Sequence, residues 1–338
     1  MRIPTLLAIG ISLIFAGAAP LTAQQQWQVT KTFHIGGEGG WDYVTVDPPN
    51  HRIFVTRSTH TQAIDEETGK VLADIPGQLR SHGVALVPKL GRGFITDGGG
   101  NGAILVFDLK TYQMLGKITT MPDSDGIIYD PSTNLVLAVS GDGGALMTFS
   151  PDIDPKSGKV DVPIKLGGAP EFLAGDGSGK AYINLEDKDV VAVVDLRTRK
   201  VVSRWPIAPG GHPVSMAIDA KAHRLFIGCR NPQRMIVVST EDGKVEAALP
   251  IGAGVDATQV FGHESFASCR DGSLTVAGEK AGKFHVEQTV KSASGARAMG
   301  LDPYTRKIFL PTAEMMAGAN GQSTAKPGTF EIIVVGQP

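Results

Sequence analysis

The chain has 338 residues and a nearly balanced charge, with 32 Lys and Arg against 34 Asp and Glu. No basic block stands out, which argues against a protein built to bind nucleic acid, since such proteins cluster cations to neutralise phosphates. The 42 Gly and 21 Pro, beside only 5 Tyr and 3 Trp, are typical of a chain with many turns and strands.

The first residues have the order of a secretory signal peptide. Arg2 precedes an apolar stretch, 6–19, that is short for a membrane span. A small-residue cleavage site then ends at Ala23. We therefore predict a signal peptide over 1–23 and a periplasmic or secreted product without a membrane span. The alternative, a retained membrane anchor, fits the short apolar segment less well.

The rest of the chain repeats one phrase at intervals of about forty residues. The copies are DPPNHRIFV at 47–55, VPKLGRGFI at 87–95, DPSTNLVLA at 130–138, DGSGKAYI at 176–183, DAKAHRLFI at 219–227, FGHESFA at 261–267 and DPYTRKIFL at 302–310. The bulky residues near their ends are spaced by 40, 43, 45, 44, 40 and 43 positions. Seven copies of a short-strand unit at this period indicate a propeller rather than a sandwich or a stacked solenoid.

Each unit predicts four strands. An apolar inner strand is followed by the Asp-Pro turn and a second strand, and a third strand is clearest at 103–107 and 190–194. A second recurring turn, with Asp65, Asp108 and Asp195 bonding to local backbone, leads into the fourth strand. No segment of useful length shows helical periodicity. We predict an all-β, seven-bladed β-propeller of four-stranded blades, forming a single domain over 24–338.

The two ends of the chain predict how the ring closes. The segment 28–35 resembles a fourth strand but precedes the first blade, and the last blade stops after three strands. We expect the N-terminal strand to complete the seventh blade by pairing near 332–335, which removes free sheet edges.

Two other features leave alternatives open. Cys229 and Cys269 occupy equivalent places in adjacent blades; an exported protein permits a disulfide between them, but two buried thiols are the commoner arrangement. The insertion 313–329 is interpreted either as a mobile lid containing Met315 and Met316 or as a disordered surface excursion.

These phrases, with GARAMGLDPYTRKIFLPTAE at 295–314, resemble the YVTN-type repeat of the YncE-like β-propeller family of bacteria. The resemblance covers essentially the whole chain after the signal peptide. It implies an exported seven-bladed propeller, usually without an assigned reaction. Some relatives are named as DNA-binding, and more distant propellers include lactonases and a lyase.

Polar side chains recur where the predicted inner strands begin, at one mouth of the central channel. Counting back from each first turn gives these start positions: Asp42, His82, Asp125, Glu171, Val214, Asp256 and Arg297. The predicted ends of the second strands face the same way and carry Arg57, Asp97, Asn184, Arg230 and Arg270. Trp41 follows a glycine-rich segment and is a candidate aromatic at the rim.

This set predicts a mixed-charge pocket for a small polar ligand or a protein partner, in which Arg binds a carboxylate or phosphate. The alternative is that polar channel residues only hold water. A second hypothesis is a metal-assisted hydrolase or lyase acting on a lactone or glycan-like substrate, with Asp42, His82 and Asp125 near a divalent cation and His82 as general base. The third, DNA binding, is disfavoured by the acidic balance. No other cofactor is predicted, and we expect a monomer.

Overall fold

The architecture is a ring of seven four-stranded antiparallel sheets, as the repeat predicts. The structure is a computed structural model that describes residues 26–317 and 323–337. Within this part of the chain the only helical segments are two 3₁₀ turns, Pro48–Asn50 and Pro88–Leu90. The signal peptide predicted over 1–23 lies outside the described residues. No described helix has the length and apolar character needed to cross a membrane.

The strands follow the blade order around the ring. The N-terminal strand is β1 (Gln28–His34). Blade 1 contains β2 (Val44–Asp47), β3 (Arg52–Thr56), β4 (His60–Asp65) and β5 (Val71–Pro76); blade 2 contains β6 (Ser81–Val87), β7 (Arg92–Asp97), β8 (Ala103–Asp108) and β9 (Met114–Thr119). Blade 3 contains β10 (Ser124–Asp130), β11 (Leu135–Ser140), β12 (Ala145–Phe149) and β13 (Ile164–Lys165); blade 4 contains β14 (Pro170–Gly175), β15 (Lys180–Leu185), β16 (Val190–Asp195) and β17 (Lys200–Pro206).

The second half of the ring repeats this order. Blade 5 contains β18 (Pro213–Asp219), β19 (Arg224–Arg230), β20 (Gln233–Ser239) and β21 (Val245–Pro250); blade 6 contains β22 (Val255–Phe261), β23 (Glu264–Cys269), β24 (Ser273–Lys280) and β25 (Lys283–Lys291). Blade 7 contains β26 (Gly300–Asp302), β27 (Lys307–Thr312) and β30 (Glu331–Gly336). A separate hairpin joins β28 (Met315–Ala317) to β29 (Ser323–Ala325).

The ring closes as predicted, because β1 is the fourth strand of blade 7. It pairs with β30 in an antiparallel register that runs from Gln28 opposite Gly336 to His34 opposite Glu331. Trp27, just before β1, is 2% exposed and packs edge-on against Phe266 of blade 6, with ring centroids 5.0 Å apart. The N-terminal segment therefore ties the closing blade to the blade before it.

The apolar core is divided into seven clusters, one between each pair of neighbouring blades. The cluster between blades 1 and 2 contains Phe54 and Phe107, and the cluster between blades 7 and 1 contains Phe33 and Phe309. The remaining five clusters join blades 2–3, 3–4, 4–5, 5–6 and 6–7. Each blade thus buries both faces against its neighbours, as the repeat architecture requires.

The degenerate copies of the repeat keep the register of the others. Thr45 pairs with Phe54 in blade 1, and Ala174 pairs with Tyr182 in blade 4. In blade 6, Gln259 pairs with Phe266 in the same way. The shortened turns therefore change the loops and leave the pairing of the two inner strands intact.

The recurring aspartates make local turn bonds, as predicted. Asp65 Oδ1 accepts hydrogen bonds from the backbone N–H and hydroxyl of Thr68, at 2.8 and 2.7 Å. Asp108 and Asp195 accept the corresponding bonds in blades 2 and 4. These carboxylates hold the turn between the third and fourth strands and are not available to a ligand.

The structure bears on two other expectations. Cys229 and Cys269 are free, buried thiols rather than a disulfide, and burial raises the pKa of each to about 12. In the insertion 313–329, β28 and β29 form a hairpin with Met315 and Met316 exposed, so its described part is regular structure; its role as a lid stays a prediction.

Candidate functional site

A β-bulge places the start residue of most inner strands. The pairing register shifts between Ser81 and Val84, between Ser124 and Ile127, and between Pro170 and Leu173. Blades 5 and 6 carry a similar shift, between Pro213 and Ser215 and between Val255 and Ala257. A bulge redirects side chains at the end of a strand. His82, Asp125, Glu171, Val214 and Asp256 all lie inside these bulges and point into the channel.

Hydrogen bonds from the preceding blade fix the backbone of several bulges. Thr56 Oγ1 donates to the carbonyl of His82 and Thr96 Oγ1 to that of Asp125, both at 2.6 Å. Ser268 Oγ donates to the carbonyl of Ala296 at 2.6 Å, next to Arg297. The side chains at the mouth are therefore held by buried contacts between blades, which limits their movement.

The start residues converge on one cavity of about 230 Å³ at the channel mouth. Eight of the ten ionisable residues predicted at this mouth line it: Asp42, His82, Asp125, Glu171, Asp256, Arg230, Arg270 and Arg297. Their placement agrees with the count from the repeat. Their role in binding a ligand stays a prediction.

Arg57 and Asp97 lie at the ends of their second strands, as predicted, but they do not line this cavity. Arg57 is fully buried, stacks on Phe330 at 3.5 Å and donates from Nε to the carbonyl of Gly40 at 2.9 Å. Asp97 is also fully buried; it accepts a hydrogen bond from the backbone N–H of Arg80 at 2.8 Å and pairs with Lys117 at 3.1 Å. Both hold loops in place.

Two further candidates are structural. Trp41 is 7% exposed and packs against Phe330 with ring centroids 6.0 Å apart, so it belongs to the core and not to the rim. Asn184 is fully buried and donates from Nδ2 to the carbonyl of Ser215 at 3.0 Å. Side chains at the ends of second strands serve contacts between blades in the first half of the ring, whereas Arg230 and Arg270 reach the cavity.

Most charges at the mouth are paired with one another. Asp256 lies between Arg230 and Arg297 and forms an ion pair with each through a different carboxylate oxygen. Arg297 also donates to the carbonyl of Trp41 at 3.0 Å and lies 3.9 Å from Asp42. Burial lowers the pKa of Arg297, but Asp256 and Asp42 together raise it above its ordinary value. This network fixes the positions of the two arginines.

His82 continues the network on the other side of Asp42. Its Nδ1 lies 2.6 Å from Asp42 Oδ2, and its Nε2 accepts a hydrogen bond from Arg80 Nε at 3.0 Å. Burial lowers the pKa of His82, but the bond to Asp42 and the charge of Asp125 raise it above its ordinary value on balance. The imidazole is therefore oriented from both ring nitrogens.

Three groups at the mouth keep unused hydrogen-bonding capacity, although Asp125 also forms an ion pair with His82. Asp125 Oδ1 is buried without a hydrogen bond, 3.6 Å from His82 Nδ1. The Glu171 carboxyl and the exposed Arg270 guanidinium make no hydrogen bond or ion pair within the part of the chain that the structure describes. These three groups are the ones left to contact a bound molecule.

Burial and charge set the protonation of these three groups. Burial raises the pKa of Asp125 to about 6, opposed by His82. Burial, Asp125 and Glu186 raise the pKa of Glu171 to about 9, so this carboxyl is protonated near pH 7 and can donate a hydrogen bond. Burial and the nearby Arg297 lower the pKa of Arg270, which nevertheless remains charged. The mouth thus offers an acceptor, a donor and a cation.

One subset of the site has the donor atoms of a cation site. Asp42, His82 and Asp125 each offer one ligand atom, and these atoms lie within 4.8 Å of one another. Imidazole nitrogen with two carboxylate oxygens suits a divalent transition metal. The buried, unpartnered oxygen of Asp125 fits this use, because a cation would satisfy it.

The aromatic floor of the cavity was not predicted from the sequence. Tyr43 and Phe172 lie with ring centroids 5.3 Å apart, and the Tyr43 hydroxyl donates to the carbonyl of Glu171 at 3.5 Å. Burial, then the charge of Asp125, raises the pKa of Tyr43 well above its ordinary value. Both residues immediately follow a start position in the sequence, which is the signal that could have found them.

A second cavity, of about 460 Å³, lies on the far side of this floor. It is lined mainly by apolar residues from the middle and later parts of the inner strands, including Val46, Val84, Leu86, Ile128 and Leu301. Tyr43, Val44, Phe172 and Gln259 line both cavities and therefore stand between them. The channel has a charged half and an apolar half.

The fold and the polar channel mouth define this chain as a seven-bladed β-propeller with a candidate binding site on its axis. Among solved structures it is similar to Hydrazine Synthase from Kuenenia stuttgartiensis, with a TM-score of 0.69, 13% sequence identity, and coverage of 92% of this chain and 99% of that one. At this identity the likeness shows the fold alone. No family model matches the chain. No curated protein matches it either.

Proposed function

We propose that this chain is an exported, monomeric propeller of the YVTN type that binds a small polar ligand at the channel mouth. The observation that carries the proposal is the contrast within one cavity. The charged groups around Asp256 and Asp42 are paired, whereas Asp125, Glu171 and Arg270 keep free hydrogen-bonding capacity.

The unpaired groups specify the chemistry of the ligand. Arg270 suits a carboxylate or another small anion, because a guanidinium binds such groups in a bidentate manner. Protonated Glu171 can donate to a ligand oxygen, and Asp125 can accept from a hydroxyl or an amine. A small hydroxy acid or amino acid combines these features.

The size of the cavity favours a small molecule over a protein partner. Its volume of about 230 Å³ is below the roughly 300–1,000 Å³ typical of sites for drug-sized ligands. The polar groups also lie recessed among the inner-strand starts, whereas a protein would need a broad accessible surface. A protein partner remains the alternative occupant of this face.

A thermal-shift screen tests the proposal. The tag-free protein is screened against small carboxylic, hydroxy and amino acids, and we expect at least one to raise the melting temperature. Arg270→Met and Glu171→Leu should abolish that shift, whereas Arg197→Met, which removes an exposed arginine on the outer β16–β17 turn, should keep it. A shift that survives in both mouth variants would reject this site.

A second candidate function rests on the cluster of Asp42, His82 and Asp125. The carboxylates of Asp42 and Asp125 would hold a divalent cation, which would supply Lewis-acid polarisation of a lactone or glycan-like substrate in a hydrolase or lyase, with His82 as general base. His82 then orients the site through its bond to Asp42, and Asp125 is held by its bulge. With His82 bonded at both ring nitrogens, its role as general base requires Arg80 to move away.

Metal analysis separates the two candidates. The enzyme hypothesis expects a divalent ion in the purified protein, or lactone hydrolysis that appears on adding one and disappears in Asp125→Asn. If neither a bound ion nor metal-dependent turnover is found, the binding function alone remains.

A further inference from the structure

A second cluster of metal-ligating side chains lies at the opposite end of blade 1 from the mouth. Asp42 precedes β2, whereas His51 follows it, in the turn to β3; Glu66 and Glu67 begin the turn from β4 to β5. One ligand atom from each of His51, Glu66 and Glu67 lies within 4.8 Å of the others. The proposed channel function uses none of these three residues.

Backbone contacts hold two of the three ligands side by side. His51 has a left-handed conformation, with φ of 50°, and its N–H donates to the carbonyl of Pro48 at 3.1 Å. The N–H of Glu66 donates to the carbonyl of His51 at 3.0 Å, and the two side chains meet with Nδ1 and Oε1 3.0 Å apart. The donors are therefore pre-positioned, which lowers the conformational cost of binding an ion.

One oxygen of the Glu66 carboxylate lacks a hydrogen-bond donor. Glu66 is fully buried, and its Oε2 has no hydrogen-bond partner, although Oε1 faces His51. A buried carboxylate oxygen without a partner is costly, and a bound cation is one way to satisfy it. The Asp302 side chain lies within hydrogen-bonding reach of the same carboxyl, so two acidic groups face each other there and need a shared proton or a cation between them. This buried acidic pair distinguishes the cluster from an ordinary surface ion pair.

Blade 5 contains the same turn without the carboxylate. His223 corresponds to His51 in the repeat and has φ of 56°. The N–H of Thr240 donates to the carbonyl of His223 at 2.8 Å, the bond that Glu66 makes in blade 1. The backbone geometry is therefore shared by both blades, whereas the buried carboxylate is specific to blade 1.

We propose that His51, Glu66 and Glu67 bind a divalent transition-metal ion of the Zn²⁺ class on this face. One imidazole nitrogen with two carboxylate oxygens matches the ligand preference of such ions and leaves the remaining coordination to water. Glu67 now lies 3.5 Å from Lys307 of blade 7, and its carbonyl accepts a hydrogen bond from Lys31 of β1 at 2.7 Å. The ion would replace the Lys307 contact at the junction where the ring closes.

Zinc titration by calorimetry, with the tag-free mature protein, tests this site. The diagnostic variant is His51→Asn, because Asn134 adopts the same left-handed conformation, with φ of 55°, in the equivalent turn of blade 3. Its matched control is His223→Asn, which makes the same change in blade 5. Glu66→Gln removes the second ligand while keeping its shape.

We expect wild type and His223→Asn to bind zinc with the same affinity, and His51→Asn and Glu66→Gln to bind at least about tenfold more weakly. Zinc should also raise the melting temperature of wild type but not of His51→Asn, since an ion that binds only the folded state stabilises it.

Three results would overturn the site: no zinc binding by wild type, equal affinity in His51→Asn, or loss of binding in His82→Gln with retention in His51→Asn. The last result would place the ion at the channel mouth. These outcomes are independent of the acid screen that tests the channel function.

Discussion

The seam that closes the ring and the mouth of its channel are held together by different interactions. The seam is formed by β1, a largely exposed strand that is held by its ladder with β30 and by the buried rings of Trp27 and Phe33. The mouth is a set of charged and polar side chains on β-bulges, some of them unpaired. The seam uses the strand pattern of the repeat and stabilises the fold. At the mouth, by contrast, the residue at the equivalent position differs from blade to blade. Substitutions should therefore affect stability at the seam and binding at the mouth.

Removal of β1 should have the largest effect. A chain lacking residues 26–34 exposes the edge of β30 and opens two core clusters, so we expect a loss of several kcal/mol, comparable with the whole stability of many domains. Trp27→Ala is a milder test of the same contact, and we expect it to lower the free energy of unfolding by about 3–5 kcal/mol. Urea unfolding measures both, and an unchanged midpoint for the truncated chain would contradict the role of β1 in closure.

Arg297→Met tests the paired part of the mouth. It leaves Asp256 with one cation and Asp42 without a nearby guanidinium. We expect a loss of about 2–3 kcal/mol, less than for a fully buried pair, because the Arg297 side chain is 21% exposed. The double variant Arg297→Met with Asp256→Asn should recover part of the loss in denaturant unfolding. If the double variant is no more stable than Arg297→Met, then lost packing, and not an unpaired charge, accounts for the lost stability.

Glu171→Gln should change how stability depends on pH. In the folded protein the pKa of Glu171 is about 9, well above the 4.5 of a glutamate in the unfolded chain. The folded state therefore holds the proton more tightly, and the wild type loses stability as pH rises from about 4.5 to about 9. The variant should match wild type at pH 4 and exceed it by several kcal/mol at pH 8, because each pKa unit is worth about 1.4 kcal/mol. Parallel stability curves for the two proteins would refute the raised pKa.

Arg270→Met should have the smallest effect on stability. This guanidinium has no partner among the described residues and is exposed, so we expect a change within about 0.5 kcal/mol. Ligand binding should nevertheless be lost. Unfolding curves and the thermal-shift assay run on the same sample compare the two effects, and a large loss of stability would show that Arg270 belongs to the paired network.

The repeat made the fold predictable, because its period fixes the blade count and its displaced strand fixes the closure. It also located the start positions, so Asp42, His82 and Arg297 were placed together although they lie far apart in sequence. That Arg57 and Asp97 lie away from the cavity could not be predicted, because position alone does not tell whether a side chain turns towards the channel or back under its loop. The pairing of Asp256 with two arginines depends on side-chain geometry that no spacing rule contains.

Tyr43 and Phe172 line both the charged and the apolar cavity of the channel. A ligand held by the charged groups at the mouth would therefore also contact aromatic side chains. Its affinity would then depend on its shape and apolar surface as well as on its charge.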